Sequence, residues 1–362
     1  MPDLGVTPLF YPARPTLSVD GRDLPELREA VLSLMVEETT DGLYRCEASF
    51  GNWGTRRGSV DFLYFDRELF DFGKDFSIRM GPGRTAKTIF AGRITALEGR
   101  FPAKRPPEIT ILAEDRLQAL RMTRRSRSFE DVDDQEVIET IAADHGLGTE
   151  LDIEGPRYAV LAQVNQSDLA FLRERARAID AELWIAEGRL HVQARARRQI
   201  DEIELTYGRG LRELQVRADL AGQRSCWSVA GWDPSAKEAI EETADAQSIQ
   251  SELEGGESAA GLLGSALSEH GERSVHQAPL TSAEAQALAG AEFRRMARRF
   301  VRGQAMAEGD ARLRVGSRVR LGGLGALFDG VYSVTEVRHS FDGQNGFRTH
   351  FEVERPGLGG GA

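Results

Sequence analysis

Apolar and polar residues alternate along most of the first 120 positions. "TLSVDG" (16–21) and "DLPELREAVLSLMVEETTDGLYRCEASFGN" (23–52) mix this period of two with turn formers. "DFSIRM" (75–80), "TIFAGRITALEGRF" (88–101) and "PEITILAED" (107–115) continue it, with Gly, Pro and Asn at the breaks. β-Branched and aromatic residues at alternate positions describe half-buried strands, so a barrel or sandwich is the natural closure.

The period then changes. In "FEDVDDQEVIETIAADHGLG" (129–148), Asp133 and Glu136 have the spacing of a capping box, Val137, Ile138 and Ile141 form an apolar stripe, and Gly146 suits a C-terminal cap. A second helix follows in "NQSDLAFLRERARAID" (165–180). Asn165 or Ser167 caps it, Leu169, Leu172, Ala176 and Ile179 share one face, and Arg173, Glu174, Arg175 and Arg177 lie mostly off that face. "AELWIAEGRLHVQA" (181–194) reads as a hairpin turning at Glu187-Gly188. Residues 129–197 thus form a small α+β insert between β-rich regions.

Strands return in 200–234. Residues 235–280 are rich in Ala, Ser, Gly and Glu, offer little for a core, and are expected to be partly mobile. A helix starts at Thr281 with the box "TSAE", presents Ala289, Phe293, Met296 and Phe300 on one stripe, and ends by Gly303. The stretch 313–355 is again dense in turns and alternating strands, and "PGLGGGA" is a flexible tail. There is no strict repeat, but β-rich material occurs twice. The expected division is a first barrel over 1–128, the insert over 129–197, a second barrel from 198–234 with 304–356, the acidic segment plus helix over 235–303, and a tail from 357.

Length and composition add limits. The 362 residues are 41% hydrophobic and 28% charged, ordinary for a globular chain with two or three domains. No run reaches the roughly 18–20 apolar residues of a membrane helix, and the N-terminus lacks the basic and apolar parts of a secretory signal. Cys46 and Cys226 have no metal-like spacing and read as reduced thiols of a cytoplasmic product. The net charge of −11 is uneven: residues 233–280 hold ten acidic and two basic side chains, a balance of −8, which leaves −3 elsewhere. This disfavours nucleic-acid binding, and the short basic run "RMTRRSR" (121–127) reads as a solvated or salt-bridged link.

Candidate chemistry thins out when tested against structure-forming roles. "GPGRTAKT" (81–88) imitates a phosphate loop, but Ala86 stands where that loop needs glycine, and a strand follows where it needs a helix. "GGLGAL" (322–327) has neither the spacing nor the setting of a dinucleotide loop. His270 and His276 lack partner ligands for a metal, and no G-x-S-x-G elbow occurs. Two carboxylates could serve a glycosidase, yet no pair stands out among 57 acidic residues. No catalytic, metal or cofactor site is expected.

Three stretches together resemble one family, the phage late control D proteins, which are VgrG-like hubs of contractile tails and related injection systems. The first, over about 90–147, is similar through the strand glycine Gly92 and the "DRL…L" segment at Asp115, Arg116, Leu117 and Leu120. The second, 165–192, is similar to the family's "Q…SD..FL..LA" helix and hairpin through Asp168, Phe171 and Leu172, with Trp184 as a core or interface anchor. The third is similar to the closing strands through Gly330, Tyr332, Val334, His339, Thr349, Phe351 and Arg355. The resemblance implies a β-rich fold with two tail-tube-like barrels per subunit, in a homotrimer whose six barrels make a pseudo-hexameric ring. It implies a structural role: joining a hexameric inner tube to a trimeric spike, with other baseplate components as neighbours. The spike is expected on a separate chain, because no spike module follows the last strand. Assembly in the cytoplasm, then incorporation into a phage tail or injection particle, follows from the same likeness. The acidic segment 235–280 is either a contact for the baseplate or a cargo effector, or a solvated loop. The alternative from another class is a cell-wall or glycan hydrolase on a β scaffold.

Overall fold

Thirteen strands form one hydrogen-bonded sheet that curls twice. The structure is a computed structural model and describes residues 14–56, 58–81, 86–198, 202–275 and 279–359. His276, the centre of the 81–88 loop, the N-terminal 13 residues and the last three of the tail lie outside that description.

The first curl runs, in space, through Thr16–Val19, Asp75–Met80, Lys87–Arg100, Glu108–Glu114, Arg45–Gly51 and Val31–Thr39. Alternate residues point inward, and Leu17, Phe50, Ile78 and Ile111 are fully buried in its core. The second curl runs through Glu202–Tyr207, Arg318–Gly322, Gly330–Asp342, Gly346–Arg355, Val301–Glu308 and Gly210–Ala218. It closes as a six-stranded barrel through a two-residue corner, Thr206 and Tyr207 against Gly210 and Leu211. Numbered by chain order within each curl, both have the spatial order 1-4-5-6-3-2. They differ at the first strand, which is antiparallel to the fourth in the first curl and parallel to it in the second. The curls are one sheet because Ser33–Thr39 is laddered antiparallel to 336–342.

The alternation that marks these strands hides one helix, Pro25–Ala30, within a stretch that reads as strand. Proline in its first turn loses no hydrogen bond, Glu26 faces the positive end of the dipole, and Leu27 is buried. Six residues are too few for a period of 3.6 to show itself. The strand beginning at Lys87 stands where a phosphate loop would need a helix.

The insert has its own core, in which Leu117, Val137, Leu172 and Leu190 are buried. Its Arg124–Val132 strand pairs with Tyr158–Ser167. Asp133 and Glu136 close the capping box on Asp134–Asp144 with bonds of 2.9 and 3.0 Å. Ser167, rather than Asn165, caps Asp168–Ala178 by accepting from Ala170 N–H. The hairpin Ala181–Ala186/Arg189–Ala194 turns at Glu187 and Gly188, both with positive φ, as a tight two-residue turn requires.

The acidic segment departs from expectation. Its Glu238–Asp245 strand pairs with Cys226–Asp233, and Gly271–Ser274 pairs on the other side of that strand. Ile240, Ala244 and Ile249 pack with Val229 against Ala285, Ala289, Phe293 and Ala297 of the helix Ser282–Arg298. The segment has few apolar residues, but those few face one side and meet a helix from outside it. Composition read within the segment alone misses that partner. Thr281 caps the helix as expected, whereas Phe300 leaves the stripe for the barrel core, and Gly303 sits inside the next strand.

Candidate functional site at the domain seams

The residues singled out from the sequence do not converge on one pocket. Some lie at the joints between the barrels and the insert, others inside the insert or the second barrel, and the buried charges among them are held in place by partners from different elements.

Asp115 ends the strand Glu108–Glu114 and opens the insert. Its carboxylate accepts from Tyr44 N–H at 2.8 Å and Leu117 N–H at 2.9 Å. Burial nevertheless pushes it up to about 6, because two backbone bonds do not replace full solvation. Leu117, the next inward residue, is fully buried, while Arg116 stays exposed and reaches Gly188 O at 3.5 Å. Gly92 is required by close approach: a Cβ there would lie 2.2 Å from Glu114 O.

Asp168 lies inside the insert. Arg127 and Gln163 donate to one oxygen at 2.9 Å each, and His145 meets the other at 2.8 Å. Burial alone would raise this carboxyl, but these bonds and the charges of Arg127 and Arg125 hold it below its ordinary value. Phe171 stacks on Phe129 at 6.0 Å, and Leu172 fills the core beside it. Trp184 lies flat against His191, and the Arg198 guanidinium sits over its ring, 3.9 Å from the centroid. Arg198 also donates to Glu182 at 2.8 Å and to the Tyr44 hydroxyl at 3.2 Å, so it joins the insert to the first barrel. Arg173 adds bonds to the carbonyls of Asp41 and Gly42.

In the second barrel, Gly330 has φ +143 and leaves room for Arg355, whose guanidinium covers the Tyr332 ring at 4.6 Å. Tyr332 donates to Phe328 O at 2.7 Å, and burial pushes its hydroxyl up to about 12. His339 and Thr349 are buried and bonded at 3.1 Å, and Thr349 also accepts from Asp310 N–H. Burial, with Arg314 nearby, drives His339 down to about 3, so it is a neutral packing group.

Two seam pairs gave no warning in the sequence. Glu38 is buried on the strand shared between the barrels, and Arg314 pairs with it; burial still raises the Glu38 carboxyl. Arg298 is buried at the end of its helix, held by Asp180 of the insert at 2.5 Å and Glu252 of the acidic segment at 2.7 Å. In a run containing Arg294, Arg295, Arg298 and Arg299, nothing local separates the buried Arg298 from the half-buried Arg294 and Arg295 or the exposed Arg299. The only usable signal is spacing from Phe293 and Ala297 on the buried stripe.

Chemically, these groups hold parts together. Each buried carboxylate named above is committed to a cation or to backbone N–H groups. Among the described residues no cluster of three histidine, cysteine or acidic side chains is placed to hold a metal. His270 is exposed and within 3.3 Å of Ser268. Glu336 lies near Glu352, and burial, then the charges of Glu352 and Glu37, raise the Glu336 carboxyl. Gln304 occupies Glu352, donating at 2.9 Å. No helix among the described residues is long and apolar enough to cross a membrane.

The two-curl architecture recurs in solved structures. The 43 kDa tail protein of prophage MuSo2 from Shewanella oneidensis aligns with a TM-score of 0.69 at 11% identity, covering 95% of this chain and 98% of that one. A tail protein from Neisseria meningitidis MC58 gives 0.68 at 11%, covering 97% and 98%. The E. coli c3393 protein, described as a type VI secretion component similar to the T4 tail proteins gp27 and gp5, gives 0.58 at 12%, covering 94% and 76%. At such identities the likeness establishes the fold: a β-rich tail-protein fold. No curated protein sequence matches significantly. The family model described as the Alg8 N-terminal domain matches residues 13–342, a span that takes in the insert, the first barrel and most of the second. The chain belongs to the Alg8 N-terminal domain family.

Proposed function

We propose that this protein is the structural baseplate hub of a contractile phage tail or phage-tail-like injection system, akin to the late control D proteins. Three copies form a ring of six barrels, which meets a hexameric inner tube on one face and seats a separate trimeric spike on the other. Other baseplate components surround it. The chain assembles in the cytoplasm and ends in the particle, and its role is assembly rather than catalysis.

The observation that carries this reading is the repeated strand order, 1-4-5-6-3-2, in two six-stranded curls joined edge to edge within one chain. A subunit with two like barrels offers a six-fold partner six similar surfaces from three copies. The same subunit offers a three-fold partner three identical ones. The likeness to tail proteins over nearly the whole chain supports it.

The test is mass and shape. Native mass spectrometry of the purified chain gives a trimer, and negative-stain images show a ring of six lobes. A stable monomer at high concentration, or clearing of a peptidoglycan zymogram by the pure protein, overturns the reading.

A further inference from the structure

The two barrels can be matched residue by residue from the irregularities of their ladders. The fifth strands, Lys87–Arg100 and Gly330–Asp342, each pair first with the fourth strand and then with the sixth; Arg93 and Ser333 pair with both. Each carries a register shift just beyond, between Ile94 and Ala96 in one and Val334 and Glu336 in the other. Each is gripped there by a loop glycine. Gly73 N–H donates to Ile94 O at 2.8 Å, and Gly316 N–H donates to Val334 O at 3.0 Å. The second strands match in the same way, with shifts between Val31 and Ser33 and between Leu211 and Glu213. Glu98 therefore corresponds to Arg338, Phe101 to Phe341, Leu214 to Leu34 and Arg217 to Glu37.

Within the chain, the second strand of the first barrel is laddered to the fifth strand of the second, with Glu37 opposite Arg338 and Leu34 opposite Phe341. The reciprocal edges are open. Among the described residues, 213–218 meet no strand on the side away from Val301–Glu308, and 96–100 meet none on the side away from Glu108–Glu114. Carrying the register across sets Arg217 opposite Glu98 and Leu214 opposite Phe101. The charges are complementary, with the signs exchanged relative to Glu37 and Arg338, which lie 3.9 Å apart. Phe101 is 65% exposed, whereas its counterpart Phe341 is 5% exposed under its ladder.

We propose that the open 213–218 edge of one copy pairs antiparallel with the open 96–101 edge of the next copy, repeating between chains the ladder that joins the barrels within one. The two edges are different patches, so the contact is head to tail and propagates until a ring closes. Pro102, which has no N–H, ends the ladder. The number of copies rests on the hub reading; the choice of edges does not.

The test uses the full chain with Cys226→Ser, leaving the buried Cys46 in place. Glu98→Cys and Arg217→Cys together face each other across the predicted pair, at a separation a disulfide can span. On oxidation, non-reducing gels show covalent dimers and then trimers that revert with reductant, while either single variant stays one chain long. In a second arm, Arg217→Glu raises the concentration needed for assembly by about tenfold, and adding Glu98→Arg restores it. A trimer by mass that neither cross-links nor responds to the exchange overturns the proposed edges and leaves the hub reading standing. A monomer throughout overturns both.

Discussion

Arg198 and Arg298 are buried, and each bridges groups from different elements, Arg198 joining Glu182 to Tyr44 and Arg298 joining Asp180 to Glu252. A buried pair adds little relative to a well-packed apolar pair, but removing one partner strands the other charge. Arg298→Met therefore costs about 3–5 kcal/mol in urea unfolding, since Glu252 loses the arginine that holds it. Gly92→Ala forces a methyl group onto the Glu114 carbonyl and costs about 1–3 kcal/mol by the same measurement. His339 supplies a pH test. Its folded value of about 3 lies below the ordinary 6.5, so its contribution is complete above pH 6.5 and is lost as the pH falls from there toward 3. Asp115, raised to about 6 from 3.8, acts oppositely, favouring the fold as the pH falls from 6 toward 4. His339→Gln is expected to flatten the decline in stability between pH 6.5 and 4.5, measured as urea midpoints across that range. Asp115, Asp168 and His339 stand out in the sequence as polar residues within motifs. Their burial does not, because it is set by chain segments far away.

Elements were legible where one segment contains its own reason. The Asp133 capping box and the Glu187-Gly188 turn are local agreements of side chain and backbone, and both form as expected. The helix Pro25–Ala30 and the acidic three-stranded layer were not legible, the first for want of length and the second because its apolar partner is the later helix. That layer is held by few residues, Ile240 among them. Ile240→Ala costs about 2–5 kcal/mol locally. Hydrogen exchange of 238–252 should accelerate by a factor of ten or more while the barrel strands keep their protection. Equal acceleration in the barrels would mean that the layer and barrels unfold together.

At the scale of the molecule, two β-rich regions around an α+β insert were visible as pattern, and the β-rich fold with a closed barrel agrees with that pattern. The identity of strand order was not visible, because the barrels share no obvious sequence and their kinship lies in register shifts and backbone bonds. The ladder of Ser33–Thr39 against 336–342, reinforced by Arg314 on Glu38, makes both curls parts of one sheet. They should therefore unfold in one transition. Calorimetry checks this: two separated heat-absorption peaks for the barrels would mean that the shared ladder contributes little.

That ladder also sets an order of events during synthesis. Glu38 bonds to Val315, 277 residues further on, and its strand pairs with residues made later still. At about 5–20 residues per second, the edge of Val31–Thr39 emerges from the ribosome tens of seconds before its partner exists. In that interval its unpaired amides resemble the docking edge of a finished neighbour, and adjacent nascent chains on one messenger can trap each other there. Pausing translation before the closing hairpin should then lower the yield of correctly joined chains more than pausing after it.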